Sequence, residues 1–257
     1  MKKIAIITGA TGGIGTGFVR ECSKMSEIDE IWAIGRNRKK LDRLEEISSK
    51  VIGIEADLCI DGVGIIKSKL ADSNAKEKIE VHILVNDAGV AYMGEFGKMS
   101  TEEVGRFCKI NCGAPSEIIL ITLPYMHEGS KILNISSASS FQPNPYLTMY
   151  SASKAFLTSF SRALGMELRK KGITVTAVCP YWVDTDMLPR TGKDGKRIKY
   201  PGLISADKVV KKALNDSRRG RDMSVPGFFA NYFRFYSKIM PTGIVMKQWI
   251  SMIRNYI

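Results

Sequence analysis

Only two histidines occur among the 257 residues, and the five cysteines (Cys22, Cys59, Cys108, Cys112 and Cys179) are scattered with no CxxC spacing. A zinc site built on such a set is short of ligands, so no metal is expected. An odd, dispersed group of cysteines fits reduced thiols in a cytoplasmic protein better than a disulfide framework. Cys108 and Cys112, four apart, can share a helix face, but no third or fourth ligand stands near them, and packing is the favoured role. Long apolar runs are also missing. Lys2 and Lys3 precede Ile4, Ala5, Ile6 and Ile7, but that run stops at Thr8-Gly9. It is too short for the core of a signal peptide and reads as a buried strand. No linker, low-complexity stretch or internal repeat divides the chain, so one domain over residues 1–257 is expected. Hydrophobic residues at 44% and charged residues at 25% leave no case for disorder.

What is present is an alternation of short β-branched runs and helical stretches. Strands are expected at Ile4–Ile7, Ile31–Ile34, Val51–Glu55, Val81–Val85, Lys131–Ile135 and Ile173–Val178. Each is apolar at nearly every position, as parallel strands covered on both faces are. Helices are expected at Ile14–Lys24, Lys39–Ser48, Val63–Ala71, Thr101–Leu123 and Met149–Lys171. The fourth opens on a capping-box pattern, Ser100-Thr101-Glu102-Glu103, and contains Pro115, which should kink it. Repeated βα units imply an α/β fold, a doubly wound parallel sheet of the Rossmann type with about seven strands and helices on both faces.

The first strand runs directly into Thr8-Gly9-Ala10-Thr11-Gly12-Gly13-Ile14-Gly15 and then a helix. Glycines let this turn tighten and let backbone approach a pyrophosphate, whose charge the helix N-terminus stabilises. A glycine cluster alone says little; between the first strand and first helix of a βαβ unit it says much more. The second strand ends at Ile34-Gly35-Arg36-Asn37, without the carboxylate that would bind the adenosine ribose of NAD. Gly35 is expected to leave room there, and Arg36 to supply a cation suited to a 2′-phosphate.

Downstream, Asp57-Leu58 follows the third strand and Asn86-Asp87-Ala88-Gly89 the fourth. Asn111 falls in the long fourth helix, Ser137 after the fifth strand, and Tyr150-Ser151-Ala152-Ser153-Lys154 at the start of the fifth helix. In this order and spacing the set resembles the short-chain dehydrogenase/reductase family, of the common single-domain type, over residues 3–225. Tyr150 and Lys154, four apart on a helix, project into one site. A phenol with pKa near 10 holds its proton too tightly to serve as a base at neutral pH, and a nearby ammonium is expected to lower it.

The resemblance implies a nicotinamide dinucleotide cofactor, and Arg36 with no acid after the second strand makes it NADP(H) in preference to NAD(H). Contacts to it are implied at Gly9, Thr11, Gly13, Ile14, Gly15, Arg36, Asp57, Leu58, Asn86, Ala88, Tyr150, Lys154, Val183 and Thr185. It makes Tyr150 the acid/base toward a carbonyl or secondary alcohol, Ser137 the partner of the substrate oxygen, and Lys154 the holder of the nicotinamide ribose. Asn111 would support a water-linked proton path through that lysine. Two departures stand out: Asp87 where the family often has asparagine, and Tyr181 where it usually has glycine beside the nicotinamide. A Pro-aromatic pair there is similar to hydroxysteroid dehydrogenase and long-chain 3-oxoacyl reductase relatives.

Two competing readings exist. The TGxxGxxG spacing also suits extended relatives that epimerise or dehydrate nucleotide sugars, but their larger substrate domain does not fit after residue 186. A cofactor-binding sensor without turnover is the other, and the presence of both Tyr150 and Lys154 argues against it.

The net charge of +12 is concentrated in Arg36–Lys40, Lys193–Lys199 and Arg218–Arg221. No aromatic residues interleave these runs, so they read as solvated loops and attraction for cofactor phosphates, with no nucleic-acid partner. The segments expected around the substrate are Val90–Met93, Phe141–Tyr146, Tyr181-Trp182 and Met187-Leu188, mainly apolar and without an arginine clamp. A bulky hydrophobic carbonyl or alcohol is therefore expected. Residues 186–204, with Gly192, Gly195 and Gly202 as hinges, read as a lid. Residues 227–257 read as two amphipathic helices that close the pocket or pack on a second subunit of a homodimer or homotetramer, with peripheral membrane contact less favoured.

Overall fold

Alternate residues of the first strand enter two different cores. In the computed structural model, which describes residues 1–192, 195 and 197–254, β1 (Lys2–Thr8) sends Ala5 and Ile7 to one face and Ile4 and Ile6 to the other. That is the period-two geometry of a strand covered on both sides. Of the basic run 193–199, Lys193, Asp194 and Lys196 lie outside the described residues, as does Tyr256.

Around β1 the chain lays down β2 (Glu30–Gly35), β3 (Val51–Glu55), β4 (Ile79–Asn86), β5 (Lys131–Ile135) and β6 (Thr174–Val178). Later come β7 (Val183–Asp184), β8 (Ile204–Ser205) and β9 (Met223–Ser224). The main sheet has seven strands in the order β3-β2-β1-β4-β5-β6-β9, all paired in parallel, as expected for a doubly wound fold. The reversal of strand order between β1 and β4 is the crevice where ligands of such sheets bind.

One layer is α1 (Gly13–Ser23), α2 (Arg38–Glu45) and α7 (Ala206–Arg218). The other contains α3 (Gly62–Lys76), α4 (Thr101–Cys108), α5 (Ala114–Thr122) and α6 (Thr148–Leu168). The chain ends in α8 (Phe228–Ile239) and α9 (Thr242–Ile253), the two helices expected of the tail.

Four differences from the sequence reading have physical causes. The expected single helix Thr101–Leu123 is two, joined by a π-helical turn over Lys109–Gly113. Pro115 has no N–H to donate, so it sits in the first turn of α5, where none is needed, and the irregularity falls just before it. Cys108 is exposed rather than packed. Helix α7 was not anticipated, because its buried Val209, Val210, Ala213 and Leu214 are interleaved with charged residues; Ser205 caps it by accepting from the Lys208 N–H at 3.4 Å. The edge strand β9, only two residues long, is held through Asp216. That buried carboxylate accepts from Ser224 Oγ at 2.7 Å and Lys212 Nζ at 2.9 Å.

Candidate active site

The turn after β1 is closed by backbone alone. Gly9 has φ +64°, and a Cβ on it would fall 2.7 Å from Ala88 N; one on Gly15 would lie 2.3 Å from the Gly9 carbonyl oxygen. A Cβ on Gly13 would strike the Thr185 methyl at 2.6 Å. The glycine turn, the Asp87-Ala88 loop after β4 and Thr185 after β7 thus meet with no space for side chains. Thr8, absent from the sequence-based set, fixes the junction: its Oγ1 accepts from both Asp87 N and Ala88 N at 3.2 Å. Helix α1 starts without a side-chain cap or an acid in its own first turn, so N–H groups are left for another acceptor. Asp87 reaches that end from the loop after β4, where the Gly15 N–H favours its charged form.

Asn86 departs from a simple cofactor contact. Its side chain turns inward, donating to Asn134 Oδ1 at 2.9 Å, and Asn134 donates in turn to Ser161 Oγ at 2.8 Å. This buried polar ladder locks β4, β5 and α6 in register. Asn134 and Ser161 went unnoticed in the sequence, where the asparagine inside Lys131–Ile135 was the available signal.

The catalytic candidates come together. Lys154, buried, donates from Nζ to the Ile135 carbonyl at 2.6 Å, and its nitrogen lies 5.5 Å from the Tyr150 ring centroid. Ser136 anchors the same helix by donating to the Lys154 carbonyl at 2.8 Å. Ser137, extended after β5, lies beside Tyr150, whose phenolate its hydroxyl favours, and accepts from the Ser139 N–H at 3.1 Å. Asn111 sits in the π turn, an irregularity that often marks functional positions. It receives the Val90 N–H at 2.9 Å, and its amide donates to the Val90 carbonyl at 2.9 Å and Ser153 Oγ at 3.1 Å. A Cβ on Gly89 would be 3.1 Å from Asn111 Oδ1 and 3.6 Å from Lys154 Nζ, so the two polar groups border the same loop.

Electrostatics here corrects one expectation. Burial pushes the Tyr150 phenol up to about 12; the Ser137 hydrogen bond opposes the rise, and the negative charge of Asp87 adds to it. Burial also draws Lys154 down to about 8 against the attraction of Asp87, and lifts Asp87 to about 7 against Lys154 and the Gly15 N–H. Lys154 donates to the Ile135 carbonyl, and for Tyr150 burial outweighs the influences that lower the phenol.

On the adenosine side, Arg36 is exposed at the end of β2, and the neighbouring Arg38 is the one that pairs, with Asp42 and Glu45. Gly35 offers less room than expected: a Cβ would lie 3.0 Å from Thr11 Cγ2. Asp57 turns its carboxylate to the Cys59 N–H at 2.8 Å, and Leu58 is buried beside it in the core on the α3 side.

Aromatic and sulfur-bearing side chains form the remaining wall. Met93, Tyr146, Tyr150 and Trp182 all pack on a small core of Leu147 with Trp249 and Ile253 from α9; Trp249 Nε1 donates to the Pro145 carbonyl at 2.9 Å. Phe141, expected here, instead packs in a small core with Ala177, Cys179 and Val225, and Met187 faces solvent. The segment after β7 closes on itself, through Arg190 to Asp184 at 2.8 Å and Tyr200 Oη donating to the Pro189 carbonyl at 2.8 Å.

The short chain dehydrogenase model matches residues 3–196. The chain belongs to the short-chain dehydrogenase family. Hydroxysteroid dehydrogenase-like protein 1 of Gallus gallus is 32% identical over 253 residues, covering 96% of this chain and 72% of that one. The very-long-chain 3-oxoacyl-CoA reductase of Anas platyrhynchos is 35% identical over 190 residues, 71% of this chain and 60% of its own length. An inactive hydroxysteroid dehydrogenase-like protein 1 of Homo sapiens is 35% identical over 188 residues, 71% of this chain and 56% of its own. Among solved structures, a short-chain dehydrogenase from Sphingobium yanoikuyae in complex with NADPH superposes with a TM-score of 0.73 at 26% identity, covering 88% of this chain and 87% of that one.

Proposed function

We propose that this chain is an NADP(H)-dependent oxidoreductase acting between a bulky apolar ketone and its secondary alcohol. The convergence of Ser137, Tyr150, Lys154 and Asn111 around one aromatic-walled site carries this reading. Gly9, Gly13 and Gly15 let the turn close against Ala88 and Thr185 and leave the uncapped N–H groups of α1 to a pyrophosphate, and the exposed Arg36 supplies the cation for a 2′-phosphate. Bound there, the nicotinamide supplies or accepts hydride. Tyr150 Oη gives its proton to the carbonyl oxygen, or takes it back in the reverse direction. A phenol held protonated by burial is ready for the reductive direction, while Ser137 orients the substrate oxygen. Lys154 holds the cofactor ribose and, with Asn111, carries the replacement proton.

Trp182, Tyr146, Met93 and Trp249 favour an apolar substrate such as a steroid or acyl ketone. Exposed Leu120 on α5, with Phe156 and Met166 on α6, supports assembly as a homo-oligomer. The test is steady-state kcat/KM with NADPH and NADH on steroid and acyl ketones against small polar carbonyls. Turnover of the apolar set with NADPH is expected; preference for the polar set refutes the substrate class.

A further inference from the structure

Helix α8 presents two dissimilar faces. The inner one buries Ala230 and lays Phe233 and Phe229 against Tyr181, with ring centroids 4.8 and 6.4 Å apart. The outer one carries Phe228, Tyr232, Phe235 and Ile239 at steps of four, three and four, which is one stripe of a helix. They are 79%, 49%, 67% and 62% exposed, and Ile244 at the start of α9 is exposed as well. Large apolar side chains standing singly on a surface need no account; a continuous stripe marks a contact.

Charge identifies what it contacts. From Met223 to Ile257 the sequence has no aspartate or glutamate, while Arg234, Lys238, Lys247 and Arg254 are all cationic; every one of the 26 acids lies earlier in the chain. Lys238, Lys247 and Arg254 are exposed. A second copy docked face to face through this stripe would bring like charges together, because a two-fold contact repeats the same patch on both sides. An anionic lipid surface offers apolar depth for the aromatic stripe and counter-charge for the lysines and arginines. Among the described residues no helix is long and apolar enough to cross a membrane, and the pattern is that of a helix lying in the interface.

We infer that α8 and α9 dock this protein on the surface of an anionic bilayer, with Phe228, Tyr232, Phe235 and Ile239 in the headgroup–acyl boundary. Because the opposite face of α8 packs on Tyr181, whose ring lies 5.2 Å from Trp182, docking puts the segment after β6 on the membrane side. The experiment is sedimentation of the full chain with phosphatidylcholine vesicles, with and without phosphatidylserine, at low and high salt. Partition onto the phosphatidylserine vesicles should exceed that onto phosphatidylcholine by at least about tenfold and weaken as salt rises. Phe235→Asp with Ile239→Asp should abolish it while keeping the parental melting temperature, and Lys238→Ala with Lys247→Ala should reduce only the phosphatidylserine-dependent part. Failure to sediment with phosphatidylserine vesicles, or equal sedimentation of the Phe235→Asp/Ile239→Asp variant, overturns the proposal. So does a concentration-dependent dimer, abolished by the same pair, without vesicle binding, which assigns the stripe to a second copy.

Discussion

The Asn111 side chain bonds both backbone groups of Val90, receiving its N–H and donating to its carbonyl, each at 2.9 Å. One buried amide thus does for the loop after β4 what a paired strand would do. Asn111→Ala removes these two bonds and the one to Ser153, at about 1 kcal/mol net for each. A stability loss of about 2–3 kcal/mol in denaturant titration, with reduced turnover, is expected. Unchanged stability would show that the Val90 loop holds itself.

Tyr150→Phe should lower kcat by about 10²–10⁴ with cofactor affinity nearly unchanged, since only the proton donor is lost. Lys154→Met should damage both turnover and cofactor binding. Stopped-flow hydride transfer and cofactor fluorescence titration separate the two effects. Comparable turnover in Tyr150→Phe and the parent would remove the phenol from the reaction.

Asp87 gives stability a pH dependence of definite sign. Its folded pKa of about 7 lies above the ordinary 3.8, so its contribution is complete below pH 3.8 and is lost as pH rises through 7. Lys154, lowered to about 8, acts oppositely: its contribution is present above 10.5 and lost as pH falls through 8. Asp87→Asn removes the first dependence, so its melting temperature relative to the parent should climb between pH 5 and pH 7.5. A constant difference across that range would contradict the raised pKa of the Asp87 carboxyl.

Cofactor choice should rest on Arg36. Arg36→Leu is expected to reduce the NADPH-over-NADH ratio of kcat/KM by about tenfold or more, the worth of a charge-assisted contact. Adding Gly35→Asp brings a second effect, because its Cβ presses on Thr11 at 3.0 Å. An unaltered ratio in Arg36→Leu would place 2′-phosphate recognition elsewhere.

Two glycine substitutions should move stability in opposite directions. Gly105 is exposed within α4 with nothing near its missing Cβ, and Gly105→Ala should stabilise by about 1 kcal/mol. Gly15→Ala meets the Gly9 carbonyl at 2.3 Å and should destabilise and cripple cofactor binding. Thermal melts with and without NADPH report both.

Parallel strands announce themselves in sequence because burial on both faces leaves nearly every position apolar, and β3 and β5 were legible to the residue. Tyr150 and Lys154 were legible as neighbours because four residues on a helix put both on one face, and Ser137 through the family's order of motifs. Thr8, Asn134, Ser136 and Ser161 were not, since a polar residue's role depends on partners far along the chain; Thr8 meets the Asp87 N–H across 79 positions. The phenol's raised pKa was equally invisible, because it follows from how far the fold removes that group from water and from the nearby charge of Asp87.

The placement of the tryptophans has an optical consequence. The chain has three. Trp32 is fully buried in the core beneath the sheet, remote in role from catalysis. Trp182 and Trp249 lie 6.4 Å apart at 22°, one just before β7 and the other on α9, in the cluster against which Tyr150 packs. Indoles this close share their excitation, so their near-ultraviolet dichroism reports the separation of these two elements. Any step that lifts α9 from the site is therefore written into the protein's own spectrum, with no label required.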